Sequence, residues 1–133
     1  MQFVDRNDGT HNPLTNQFGE TIVTQKCTTA SPFDVDEPAA NTAAVLTYAA
    51  VADLAHVLDY VAWSYSGGIP VGGNLTITVG GGTVFSVDIP DEGAGFVPVF
   101  KRGAIFSAMV VTLAAGGLGI TGKVNAIGKR VEV

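Results

Sequence analysis

The tightest constraint on this chain is a strict period of two. In Asn74-Leu75-Thr76-Ile77-Thr78-Val79, polar and apolar residues alternate at every step. Leu75, Ile77 and Val79 therefore share one face of a half-buried strand. After Gly80-Gly81-Gly82 the pattern resumes from Thr83 to Ile89, with Phe85, Val87 and Ile89 inward and Ser86 and Asp88 outward. Two alternating runs joined by glycines predict a β-hairpin. The cluster Pro90 to Gly95 reads as a turn, and Phe96 to Phe100 as a short strand whose Pro98 places it at an edge or a bulge. Ala104 to Leu113 predicts a longer strand with Met109, Val111 and Leu113 on one side, and Ile120 to Val131 a last one. Fifteen of the seventeen glycines lie at or after Gly67, mostly between these runs. Short strands at this spacing predict an all-β protein, an antiparallel β-sandwich or small barrel.

The stretch from Thr42 to Ala62 is less decided. It is rich in alanine, and a helix over about 39–55 fits its mixed spacings. Against that, Val57, Val61, Trp63 and Tyr65 alternate along one face, and Val, Trp and Tyr favour strands. The preferred reading makes Ala43 to Ala49 a strand, Ala52 to Ala55 a turn and His56 to Ser66 a strand. Trp63, Leu75, Ile77, Phe85 and Val87 are then expected in the core.

Residues 1–37 have a different texture. Asn7-Asp8-Gly9, Asn12-Pro13, Ser31-Pro32 and Glu37-Pro38 all favour turns or extended backbone. The two short apolar stretches contain Phe3 with Val4 and Ile22 with Val23. This predicts an extended N-terminal arm, 1–37, followed by a β-sandwich domain, 38–133. Phe3, Val4, Ile22 and Val23 are candidate contacts with another chain; alternatively, the two stretches complete the main sheet.

Nothing in the chain spells a catalytic or metal-binding motif. His11 and His56 are far from any His-x-x-x-His spacing, and no Gly-x-Ser-x-Gly elbow is present. The triglycine lacks the Lys-Ser/Thr of a phosphate loop. Asp88, Asp91 and Glu92 could gather oxygens around calcium, but acids in a solvated turn need no ion. Cys27 is the only cysteine, which excludes an intrachain disulfide and a multi-cysteine zinc site. No catalytic residue, cofactor or metal is expected. Trp63 and Tyr65, two residues apart on one strand face, have the spacing of a sugar-stacking pair, although core packing explains them as well.

Charge narrows the partners. Only 14% of residues are charged, and the formal net charge is −5. A general nucleic-acid binder is not expected from so acidic a chain. The longest apolar candidate, Ala39 to Ala62, is interrupted by Asn41, Asp53, His56 and Asp59, so no membrane span is expected. The opening residues carry no signal-peptide pattern, and the chain is expected to be soluble and made in a cytoplasm. Residues 38–100 hold five acids and no base, whereas 101–133 hold five bases against Glu132. Lys123, Lys129 and Arg130 are therefore candidate contacts to acids of a neighbouring copy or a larger partner, such as Asp59 or Asp88 of another subunit.

The run His56-Val57-Leu58-Asp59-Tyr60-Val61-Ala62-Trp63-Ser64-Tyr65-Ser66, then Gly72-Gly73-Asn74-Leu75-Thr76-Ile77, then Val110-Val111-Thr112-Leu113-Ala114-Ala115-Gly116, resembles small β-sandwich virion proteins of tailed bacteriophages, of the capsid decoration or cement type. The likeness is one of pattern and covers about residues 40–130. It implies a jelly-roll-like sandwich, a homotrimer, and a seat on the outside of a phage head against the major capsid protein or another virion protein. The alternative is a carbohydrate- or receptor-binding module of a fibre or tail.

The trimer is directly checkable. Native mass spectrometry at micromolar concentration is expected to give three copies of the 13.7-kDa chain. A species at the mass of one chain would move the reading to the isolated binding module.

Overall fold

The computed structural model describes residues 27–132, with side chains from Asp34 onward. Eight strands run through them: β1 (Cys27–Asp36), β2 (Ala44–Tyr48), β3 (Leu54–Ser66), β4 (Asn74–Val79), β5 (Gly82–Asp88), β6 (Gly93–Arg102), β7 (Met109–Leu113) and β8 (Thr121–Glu132). There is no helix among the described residues, so the helical alternative for 39–55 is replaced by β2 and the start of β3.

The strands form two four-stranded sheets, β1-β8-β3-β6 and β2-β7-β4-β5, antiparallel throughout. The pairs β1–β8, β2–β7, β3–β6 and β4–β5 are the rungs of one long hairpin folded back on itself. Rolling that hairpin into two layers produces these two sheet orders, which is the jelly-roll arrangement. The fold class read from the sequence is therefore the one observed. The hairpin tip is Gly80-Gly81, with φ of 58° and 86°. A two-residue loop with both φ positive matches the right-handed twist of its strands, and glycine enters it without strain.

The core lies between the layers. Ala44, Leu58, Val61, Tyr65, Leu75, Ile77, Met109, Val111, Leu113, Val124 and Ala126 are almost wholly removed from solvent. Leu75 and Ile77 alternate with half-exposed Asn74 and Thr76, as their pattern requires. Tyr65 reaches furthest: its hydroxyl donates to the Ala114 carbonyl at 2.5 Å. Burial raises its pKa above the ordinary phenol value.

Several boundaries and faces differ from the sequence reading. The sheet begins at Cys27, so residues 27–36 of the expected arm are the edge strand β1 beside β8. Phe3, Val4, Ile22, Val23 and His11 lie outside the described residues. Leu54 and Ala55 belong to β3; the turn before them is tightened by Asp53 at φ 63°. Val57 drops off the inner face because β3 carries a bulge: Leu58 pairs Gly128 and Tyr60 pairs Ile127, leaving Asp59 as an extra residue. Val87, expected inside, is 36% exposed, and Phe85 is only half-buried. Both sit on β5, the outermost strand of its sheet, where a residue has a neighbour strand on one side alone.

Replacing Tyr65 with Phe removes one donor from a buried carbonyl while keeping the ring. The expected loss is about 1–2 kcal/mol. Urea melts are expected to show a lower midpoint with an unchanged slope; an unshifted midpoint would mean that the hydroxyl contributes nothing.

Candidate functional site

The outward face of the β1-β8-β3-β6 sheet carries four of the large exposed apolar residues, Val35, Phe96, Phe100 and Ile127. One row across it is Val35, Asn125, Ala62 and Phe96; the next is Ile127, Tyr60 and Pro98. Phe100 follows on β6. The Tyr60 ring stacks on Phe96 at 5.6 Å and 20°, and meets Phe100 edge-on at 5.2 Å and 70°. Phe96 is 63% exposed and Phe100 65%. Val97 and Val99, between them, turn inward to the core.

The bulge at Asp59 builds this face. An extra residue reverses the alternation of β3, so Leu58 and Val61 both face the core. On the neighbouring strand, two residues, Val99 and Phe100, oppose Asp59, and Phe100 takes φ 47°. A bulky side chain there is uncommon, and it places the ring against Tyr60. Asp59 accepts an ion pair from Lys129 at 3.1 Å.

The sugar-stacking pair read from the sequence is corrected here. Tyr65 is 1% exposed and offers no ring face to a ligand. Trp63 is half-buried and packs against the core, with its indole lying over Gly95, its direct cross-strand partner. A Cβ on Gly95 would stand 2.6 Å from Cε2 of that indole, so only glycine admits the ring. Trp63 also lines a shallow surface depression with Ser64, Phe96 and Asn125.

The candidate basic contacts fall differently. Lys129 pairs Asp59, and Lys123 reaches Glu37 at 3.4 Å, both within the same chain. The acids expected on another subunit are thus met at home for these two lysines. Both pairs are partly exposed and contribute little to stability. Arg130 lies opposite His56 in the β3–β8 ladder and lines a gap between the sheets. Beside that gap, Tyr48 donates to Asp34 Oδ2 at 3.0 Å, and the Val45 amide donates to Asp36 Oδ2 at 2.8 Å. These two bonds tie the outer strand of one sheet to the outer strand of the other. Asp88 accepts from the Asn74 amide at 3.0 Å, and no group of three His, Cys, Asp or Glu side chains that could hold a metal exists among the described residues.

Sequence reasoning missed the aromatic face. Its signal was present in Phe96-Val97-Pro98-Val99-Phe100, where the larger rings occupy the alternate positions to two valines. Deciding which set faces outward required the opposite sheet.

Tyr48 makes a test at high pH. Burial, then the bond to Asp34 and its negative charge, push the Tyr48 phenol well above its ordinary value. Tyr65 is raised as well. A raised phenol keeps its proton in the folded state after the unfolded state has lost it. The stabilisation is full below pH 10 and declines as pH rises above it. Denaturant melts between pH 9 and 11 are expected to lose stability, and Tyr48→Phe is expected to flatten that decline. An equally steep decline in the variant would remove Tyr48 from the account.

No protein-family model matches the chain, and neither does any curated protein. Two solved structures are similar at 7% identity and a TM-score of 0.36. One is the CBM36-1 domain of a multidomain xylanase from the hindgut metagenome of Trinervitermes trinervoides, with 83% of this chain and 90% of that chain covered. The other is dimeric latent PorU from Porphyromonas gingivalis, with 82% of this chain and 14% of that chain covered.

Proposed function

We propose that this chain is a non-catalytic, structural interaction module that docks through the outer face of its β1-β8-β3-β6 sheet. The observation that carries the reading is the exposed ring group Tyr60, Phe96 and Phe100, extended by Pro98 and Ile127. A contiguous apolar surface of this kind is costly to leave in water and marks contact sites. Aromatic side chains are the residues enriched at the centres of protein interfaces. Contact by the face rather than the edge is favoured by β6 itself. Pro98 lacks an amide hydrogen and Phe100 sits in a bulge, so the open edge is a poor template for another strand.

The more specific form of the proposal follows the sequence resemblance: a decoration protein on the outside of a phage head, trimeric, with a capsid or other virion protein beneath it. Jelly rolls serve as both capsid and lectin domains, and fold alone does not choose between them. The second reading, a carbohydrate-binding module, draws on the same rings together with the depression at Trp63 and Asn125.

One pair of substitutions separates these. Phe96→Ser with Phe100→Ser leaves the core untouched, so the circular dichroism spectrum is expected to stay that of the parent. Native mass spectrometry is expected to show the trimer reduced to monomer, or, if the face meets the shell instead, purified particles are expected to lose the bound chain. A parent that is monomeric, absent from particles and positive on a glycan array, with the signal lost in the double variant, would replace the structural reading with the carbohydrate one.

A further inference from the structure

A gap of about 490 Å³ opens between the sheets beside β1 and β2. That is within the size range of small-molecule sites. Its walls are mostly apolar: Leu46, Val51, Leu58 and Met109. Its polar lining is Asp34, Thr47, Tyr48, His56, Arg130 and Lys129, the last paired with Asp59. Tyr48 holds Asp34, Arg130 lines one wall, and His56 lines another.

His56 is the unusual member. It is 7% exposed, the one buried polar or charged residue of the described chain. Its Nε2 lies 2.7 Å from the Ala49 carbonyl. A carbonyl only accepts, so Nε2 carries the hydrogen and Nδ1 of the neutral ring is an acceptor. No described residue donates to Nδ1. A buried acceptor left without a donor is unfavourable, and His56 lines a cavity with room to supply one.

We propose that this gap binds a small, neutral, mainly apolar molecule bearing one hydroxyl group, which donates to Nδ1 of His56. The hydroxyl fits for a reason of charge. A carboxylate cannot donate to Nδ1 of the neutral ring; it would first have to bring a proton to the buried imidazole, and it would meet Asp34. An ammonium could donate but would meet Arg130. A hydroxyl donates to the imidazole with no ion to desolvate. The Nε2–H bond to Ala49 fixes both the ring and its tautomer before the molecule arrives, and the Tyr48 ring, 5.8 Å away, backs the imidazole. This site is separate from the outer aromatic face and does not depend on the function proposed for it.

The test uses the full chain, labelled with nitrogen-15, and two probes that share one ring system, 2-naphthol and 2-naphthoate, at neutral pH. Naphthol is expected to shift the amides of Ala49, Val51, Leu58 and Gly128 and to leave Phe96 and Phe100 unmoved. Naphthoate is expected to bind at least about tenfold more weakly, the equivalent of one hydrogen bond. His56→Phe is expected to weaken naphthol by about the same factor. Val51→Trp, in the turn before β3, is expected to fill the gap and abolish the shifts. Should His56→Phe fail to fold, Val51→Trp still decides the location and the two probes still decide the hydroxyl. The proposal is overturned by absence of shifts at millimolar naphthol, by equal binding of naphthoate, by shifts confined to the aromatic face, or by undiminished binding in Val51→Trp.

Discussion

The extra residue at Asp59 is the constraint on which the working surfaces of this molecule depend. A strand that alternates without interruption puts every second side chain on the same side. β3 is thirteen residues long and pairs with strands on both sides. One inserted residue in its middle reverses the alternation, so its two halves bury opposite parities: His56 and Leu58 before the bulge, Val61 and Tyr65 after it. Without it, either Leu58 or Val61 would face solvent. The same insertion turns Asp59 toward Lys129 and Tyr60 toward Phe96 and Phe100. Core and outer face are thus set by one irregularity, and neither can be changed there alone.

Much of the fold is legible in the sequence, and the reason is period. Asn74 to Val79 states its inner face outright, and the glycines after it state the turn. A local pattern of this kind survives any topology. What could not be read are features set by distant pairing. The bulge at Asp59 has no signature, because Val57, Val61, Trp63 and Tyr65 keep a perfect alternation that the inserted residue breaks. Val87 has the right parity for the core and the wrong place in the sheet, since nothing local says that β5 is outermost. Strand β1 was hidden by Pro32 and its turn-forming neighbours, which here accompany an edge strand with two irregularities against β8. Of the candidate site, the basic residues were found but not their partners. Lys129 and Asp59 are seventy residues apart in sequence, and only the β3–β8 ladder brings them together.

The two open sides of the sandwich are treated differently. On one, carboxylates of β1 reach across to β2: Asp34 to the Tyr48 hydroxyl and Asp36 to the Val45 amide. Charged acceptors make these bonds stronger than neutral ones. They hold the layers at the mouth of the gap that His56 lines. On the other side lie the edge strands β5 and β6, and β6 is protected by proline and a bulge. A sandwich that is clasped on one side and only blunted on the other presents a chemically distinct flank in each direction, although its strands are paired with near symmetry.

The rolled hairpin also decides how the molecule responds to force. Its first and last strands are neighbours, with Cys27 across from Val131. Tension applied between Cys27 and Val131 therefore bears on a single antiparallel ladder at its open end. The hydrogen bonds of such a ladder lie across the strands, in line with the pull. They are loaded one pair after another, as a zipper is, rather than all together in shear. β1 would peel from β8 at low force while the remaining strands, closed among themselves, stay intact. A domain tethered at these two residues would yield there first, and one held by its outer sheet face would carry load through the β3–β8 ladder instead.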